Sequence, residues 1–306
     1  MEIAWLEDFI VLAECMNFSR AAESRHVTQP AFSRRIRALE AWIGHPLLDR
    51  DTHRLSLTPA GERFLAVAEE IVSRLARGRE EAREAARAAS ATLRFASTHA
   101  LSLTFFPSWL RTIDATIAHG GHGAVELIAD NMQACERIML EGQAQFLLCH
   151  DHPAATNSLA PADFMSMHLG NDVLMPVTVR DSDGQPRYAL PGTPEEPVPH
   201  LAFSERSGMG RIIAAVWAQE ARPKWLEPVF TSHLAIVLKT MAVDGRGVAW
   251  APNSLIADDL APEGLLARAG DASWDIPIEI RLFRPRARQS QNAEAFWTAL
   301  LARAKG

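Results

Sequence analysis

Between Asn17 and Gly44 the chain reads NFSRAAESRHVTQPAFSRRIRALEAWIG: two short helical patterns with room between them for only a tight turn. Ser19 is placed to cap the first helix, whose Ala21-Ala22 pair is small enough to let a second helix cross closely. His26 and Val27 form the turn. The second helix opens on Thr28-Gln29-Pro30. There the Thr28 hydroxyl is placed to accept from free amides, and the missing N–H of Pro30 costs nothing. Phe32, Ile36 and Leu39 recur at helical spacing and face inward. That leaves Gln29, Ser33, Arg34 and Arg37 outward, with side chains suited to base edges and phosphates, and Arg34, Arg35 and Arg37 on one basic face. This is the layout of a helix-turn-helix whose second helix enters a DNA groove.

The net charge of −6 at first sight opposes nucleic-acid binding. Residues 1–58 hold seven Arg and eight carboxylates, so placement decides: the arginines of the second helix are clustered, and an acidic remainder discourages non-specific binding. Three lysines against 28 arginines suggest a GC-rich genome and need no functional reading. Cys15, Cys135 and Cys149 form no CxxC pair and fit a reducing compartment. No signal peptide and no apolar run of about 20 residues is read, so a cytoplasmic location without membrane contact is expected.

After Thr58-Pro59-Ala60-Gly61 comes a stretch of about 30 residues with six Arg, six Glu and a single Gly, Gly78. Phe64, Val67, Ile71, Leu75 and Ala82 make one narrow apolar stripe on a long helix. Such a stripe needs a partner, and a second copy of the same helix gives a homodimer with its two heads at fixed separation.

From Ala91 strands and helices alternate. Strand Thr92–Ser97, helix Leu101–Ile117, strand Ala124–Ala129, helix Met132–Glu141 and strand Gln145–Cys149 predict a parallel βαβαβ unit. Leu174–Val179, Leu201–Phe203, helices Gly210–Gln219 and Leu234–Val243, and strand Gly247–Trp250 predict a second such unit. Strand Ile278–Phe283 and helix Asn292–Leu301 return to the first lobe. A ligand then sits between two lobes, at the carboxyl ends of the strands.

Candidate effector contacts lie at these strand-to-helix junctions: Thr98, His99 and Ser102; Cys149 and His150; Ser204, Arg206 and Met209; Thr231 and Ser232. Amides and hydroxyls at a helix start suit an anion. The pairs His150/His152 and His119/His122 do not complete a zinc tetrahedron, so no metal or other cofactor is expected. GxSxG, Walker, CxxC and HExxH patterns are absent, and Gly245-Arg246-Gly247 is too short for a dinucleotide loop. An enzyme is not expected.

QPAFSRRIRALEAWIG and HPLLDRDTHRLSLTPAG, with Trp5-Leu6-Glu7-Asp8-Phe9 ahead of them, resemble the LysR-type transcriptional regulators. NFSRAAESR, HALSL and SGMGR (Ser207 to Arg211) are similar to the hypochlorite-responsive subgroup of enteric bacteria. The resemblance implies an α/β chain with three parts: an N-terminal winged helix-turn-helix (1–58), a dimerising linker helix (59–90) and a two-lobed α/β effector domain of periplasmic-binding-protein type (91–306). Lobe 1 would span about 91–163 and 270–306, and lobe 2 about 164–269. It implies promoter DNA as partner, contacted by Gln29, Pro30, Ser33 and Arg34 and, on the wing, by Arg50 and Arg54. It further implies a small anionic or oxidant effector, a stress-response role and pairing of dimers into a homotetramer. Met209 falls on a sensing methionine of that subgroup, whereas its other sensing methionines have no match near Ile113 to Ile117 or Ser232 to Leu234. Direct oxidation of Met209 or Cys149 is thus an alternative to a bound ligand.

Overall fold

The computed structural model describes residues 2–49, 55–86, 92–119 and 124–303, which divide into two compact units, Met1–Ala85 and Ala86–Gly306. Among these residues no helix is long and apolar enough to cross a membrane. The first unit runs α1 (Ile3–Cys15), α2 (Phe18–Ser24), α3 (Gln29–Ile43), the antiparallel pair β1 (Leu48–Asp49) and β2 (Ser56–Leu57), and α4 (Pro59–Ala86). Arg50 and Arg54, which the sequence puts on the wing, lie outside the described residues.

Leu6, Phe9 and Leu12 of α1 meet Phe32, Ile36 and Leu39 of α3 over the small Ala21 and Ala22 of α2, all nearly or wholly buried. Asn17, not Ser19, caps α2, its side chain accepting from the amides of Ser19 (3.0 Å) and Arg20 (3.1 Å). Ser19 is already the second helical residue, too far in to serve the first free amides. Thr28 occupies the cap position of α3 but makes no side-chain bond to it; Pro30 has removed one of the amides such a hydroxyl serves. His26 takes the left-handed conformation (φ 54°) that the turn requires, and Gly44 (φ 83°) ends α3 the same way.

Helix α4 has two apolar stripes rather than one. Phe64, Leu65, Ala68 and Val72 pack on the head core, while Val67, Ile71 and Leu75, spaced by four, are exposed.

The second unit begins β3 (Leu93–Thr98), α5 (His99–Thr104), α6 (Phe106–His119), β4 (Val125–Asp130), α7 (Met132–Leu140), β5 (Phe146–Asp151). The expected helix Leu101–Ile117 is broken at Phe105, because Pro107 has no N–H to bond back one turn. β3 pairs in parallel with β4 and β5, the arrangement the alternation implies. Then follow β6 (Phe164–Val179), β7 (Val198–Phe203), α8 (Gly208–Gln219), β8 (Leu226–Ser232), α9 (Ala235–Val243), β9 (Ala249–Pro252), α10 (Asn253–Leu260), β10 (Leu266–Arg268), β11 (Ile276–Pro285) and α11 (Gln291–Arg303).

The second lobe is not a repeat of the first. β7 and β8 are a separate parallel pair, while β9 and β10 lie antiparallel on the far end of β6. The cause is β6 itself: 16 residues long, it runs through both lobes, and the short strands returning to it oppose its direction. Met165, Met167 and Leu169 of β6 pack on the first lobe's core and Leu174 on the second's. β11, antiparallel to β6, likewise gives Ile280 and Leu282 to one core and Ile276 and Ile278 to the other. The chain therefore changes lobe inside these two strands, beside the irregularity at Ile280/Arg281, and not at residues 163 and 269.

In the second lobe His200 is 8% exposed, its ring 5.6 Å from those of Trp217 and Trp250. Burial pushes its pKa down to about 4, below the 6.5 of an exposed histidine. Between those values the unfolded chain holds the proton and the folded chain does not, so stability falls as pH drops from about 6.5 to 4. The loss attributable to His200 is about 3 kcal/mol at pH 4. Denaturant unfolding of the wild type and His200→Leu at pH 7 and pH 4 measures it: the variant gains that much on the wild type in acid. An unchanged difference between the two pH values refutes the assignment.

Candidate functional site

The outward face of α3 is settled by what its other faces bury. Gln29, Pro30, Arg34 and Arg37 are exposed and Ser33 half-exposed, opposite the buried Phe32, Ile36 and Leu39. Arg34 and Arg37 have no acidic partner among the described residues. Arg35 is different: its Nη1 donates to Asp8 at 3.2 Å, so the expected basic triplet is a pair. Asp8 is wholly buried and also accepts from Arg25 Nε at 2.8 Å, while Arg25 reaches Glu7 as well. Burial opposes the charge on Arg25, but the hydrogen bonds to Asp8 and Glu7 outweigh it and hold the guanidinium above its ordinary range. A carboxylate of α1 thus pins both the turn after α2 and the side of α3, leaving two arginines free. Sequence reasoning missed Asp8 because its partners are 17 and 27 residues away.

In the second unit Thr98, His99, His150 and Met209 line one cavity of about 30 Å³, room for only a few atoms. His150 Nε2 faces Asp172 at 3.3 Å, and the other carboxylate oxygen of Asp172 accepts from the amides of Val173 and Ser254. Burial pushes the Asp172 pKa up, but the hydrogen bonds from His150 and Ser254 reverse this, so it is a carboxylate below its usual range. Nε2 therefore carries the proton, and His150 Nδ1 is an acceptor when the ring is neutral and a donor when it is charged. That atom and Thr98 Oγ1 are both buried with no hydrogen-bond partner. None of the lining residues is Lys or Arg, whereas α7, α8 and α9 all present their N-termini to the cavity through Met132, Gly208 and Ala235. Burial pushes the His99 imidazole down, Asp130 pulls it up, and His233, its ring 5.9 Å away, pushes it down again; the net shift is downward.

Six other sequence candidates do not line this cavity. Ser102 Oγ donates to the carbonyl of His99, and Ser232 Oγ accepts from the amide of Leu234. Arg206 and Thr231 are exposed, and Ser204 is taken up in the β7–α8 turn, its amide donating to Ser232. Cys149 lies one residue from His150 on β5 and so points to the opposite face, wholly buried with Cys135, Met139 and Leu159. Burial pushes its thiol well above the ordinary range, and Cys135 up to about 12, so neither is a reactive thiolate. Asp130, Asn131, Met132, Phe203 and Ser207 line the cavity but were not among the sequence's candidate contacts, whereas His233, next to Thr231 and Ser232 at their junction, lines it too. Asp130-Asn131 ends a strand before a helix, as Thr98-His99 does, and the same argument would have found it.

Among the ties that cross between the lobes, one is an ion pair with a buried carboxylate. Glu136 of α7, 2% exposed, accepts from Arg211 of α8 at 2.7 Å and from the amide and hydroxyl of Ser158. It joins α7 to α8 about one turn in from Met132 and Gly208, the residues by which those helices line the cavity.

The model of the bacterial regulatory helix-turn-helix protein, lysR family, matches residues 3–62, and that of the LysR substrate binding domain matches residues 86–305. The HTH-type transcriptional regulator YjiE of Escherichia coli (strain K12) is 33% identical over 301 residues, 98% of this chain and 94% of that protein. Among solved structures, full-length HypT from Salmonella typhimurium, a hypochlorite-specific LysR-type transcriptional regulator, is 31% identical with a TM-score of 0.59, covering 100% of this chain and 99% of that one. Vibrio fischeri DarR, solved in complex with DNA, is 32% identical with a TM-score of 0.55 and 98% of each chain covered. With a DNA-reading head and a two-lobed second unit matched in turn, the chain belongs to the LysR family of transcriptional regulators.

Proposed function

We propose that this regulator binds promoter DNA through Gln29, Pro30, Ser33, Arg34 and Arg37 of α3, and that its second unit admits a small oxidant of hypochlorite size, which oxidises Met209. The exposed Val67, Ile71 and Leu75 of α4 support homodimerisation through that helix, with homotetramers as in the sequence-based expectation. The reading places the protein with its DNA in the cytoplasm.

One observation carries the effector assignment: Thr98 Oγ1 and His150 Nδ1 lack partners at a cavity of about 30 Å³ that Met209 also lines. Buried polar atoms without partners are costly, so a small polar guest satisfies them. The cavity's volume of about 30 Å³ suits a guest of a few atoms. The likeness to the hypochlorite-specific HypT supports the same class of guest. In the reaction the thioether sulfur gives its electron pair to hypochlorous acid; an S=O bond forms, and chloride and a proton leave. A polar sulfoxide then replaces an apolar side chain packed with Ile212, Ile213 and Trp250. α8 must shift, and the population of effector-domain arrangements shifts with it.

Promoter binding of the full-length protein before and after stoichiometric hypochlorite tests this, with mass spectrometry locating the added oxygen. The expected result is a changed affinity or footprint with Met209 as the oxidised residue, and no response in Met209→Ile. DNA binding that is indifferent to the oxidant, or an equal response in Met209→Ile, ends this reading.

A further inference from the structure

Phe203, which lines the cavity, also lines a half-open recess of about 130 Å³ between α8 and β7. Gly210 draws helix and strand together: a Cβ there would stand 2.5 Å from the carbonyl oxygen of Ser204. Along α8, where Ile213, Ala214 and Trp217 face the strand, the gap opens. Among its lining residues His200 and the indole N–H of Trp217 offer the polar side-chain atoms, and only the imidazole can accept as well as donate. That imidazole is more than nine-tenths buried, touches Trp217 and Trp250 by its ring, and has no hydrogen-bond partner among the described residues.

We propose that this recess is a second binding site, for an uncharged aromatic heterocycle of one or two rings that lies against Trp217 and Phe203 and hydrogen-bonds to His200. Its size is close to that of the roughly 150 Å³ cavity known to accept benzene. No charged side chain lines it, so a carboxylate or ammonium entering would lose its hydration without compensation. Aromatic walls favour a planar guest. The imidazole is neutral at pH 7, so it offers one donor and one acceptor to a ring nitrogen or N–H. A plain hydrocarbon offers the imidazole neither donor nor acceptor. The site stands independently of the oxidant reading. Phe203 is nonetheless a wall of both spaces, so a guest here bears on the packing of Met209.

Benzimidazole and its hydrocarbon counterpart indene are suitable probes, titrated into the full-length protein at pH 7 with tryptophan emission as readout. Saturable quenching is expected, with a dissociation constant for benzimidazole between about 10 μM and 1 mM and binding at least about fivefold tighter than indene. Ala214→Met fills the recess from an exposed helical position and weakens both probes at least about tenfold. His200→Phe abolishes the preference for benzimidazole. Three results overturn the proposal: no saturation up to about 5 mM, unchanged affinity in Ala214→Met, or equal affinity of the wild type for the two probes.

Discussion

Replacing Arg34 by Glu lowers the affinity of the protein for its promoter at least about 100-fold, close to the level of non-specific binding. Arg34 is exposed on α3, one turn from the exposed Arg37, with no acidic partner to lose among the described residues. The change therefore costs the fold nothing and acts on DNA alone. A good arginine contact to a base or phosphate is worth about 1–3 kcal/mol, and a carboxylate in its place adds repulsion from the phosphates. Arg35→Glu is the instructive contrast: Arg35 leans on Asp8, so that variant unsettles the head before it touches DNA. Anisotropy titrations at several salt concentrations measure the effect. Arg34→Glu should also flatten the dependence of log K on log salt by about one counterion. Binding within about threefold of wild type, with unfolding unchanged, would falsify the placement of α3 against DNA.

What the sequence revealed and what it hid follow one division. Periodicity depends on near neighbours, so Phe32, Ile36, Leu39 and the parallel strands β3, β4 and β5 were legible, as was the break at the His26-Val27 turn. Junction chemistry was legible too: Thr98, His99, His150 and Met209 meet at one cavity although 111 residues separate the first from the last. The misses concern side-chain direction and distant partners. Cys149 and His150 look equivalent in a strand, and only the register of β5 sends one to the core and the other to the cavity. β6 read as a strand only from Leu174, because its first half, with His168, Gly170 and Asn171, lacks the apolar run of a buried strand. Its length decides the lobe topology, so that one omission made the second lobe look like a copy of the first. Pro107 was a local signal, and the long helix should have been broken there.

Asp8 is the clearest case of a residue whose weight no local pattern shows, and Asp8→Ala should destabilise the head by about 4 kcal/mol. The sequence offers LEDFIVL, a carboxylate in an apolar helical run, where a surface position is the ordinary reading. In the fold it is wholly buried, with guanidiniums from two other segments on its oxygens. Removing it leaves Arg35 without its carboxylate and Arg25 with Glu7 alone, which costs more than the hydrogen bonds themselves. Both arginines are partly solvated, with side chains 28% and 37% exposed, and this keeps the loss below the upper end of the range for buried pairs. Asp8→Asn retains an acceptor and should cost roughly half as much. Hydrogen exchange on the full-length protein reads the two units separately: amides of α1 to α3 should exchange faster by about 100- to 1,000-fold, while those of β3, β5 and β11 keep their rates. A head destabilised by less than about 1 kcal/mol would mean that the α1–α3 packing is set by Phe9, Phe32 and Ile36 alone. The ion triad would then serve only to hold Arg35 away from the DNA-facing side, leaving Arg34 and Arg37 as the charges that α3 presents.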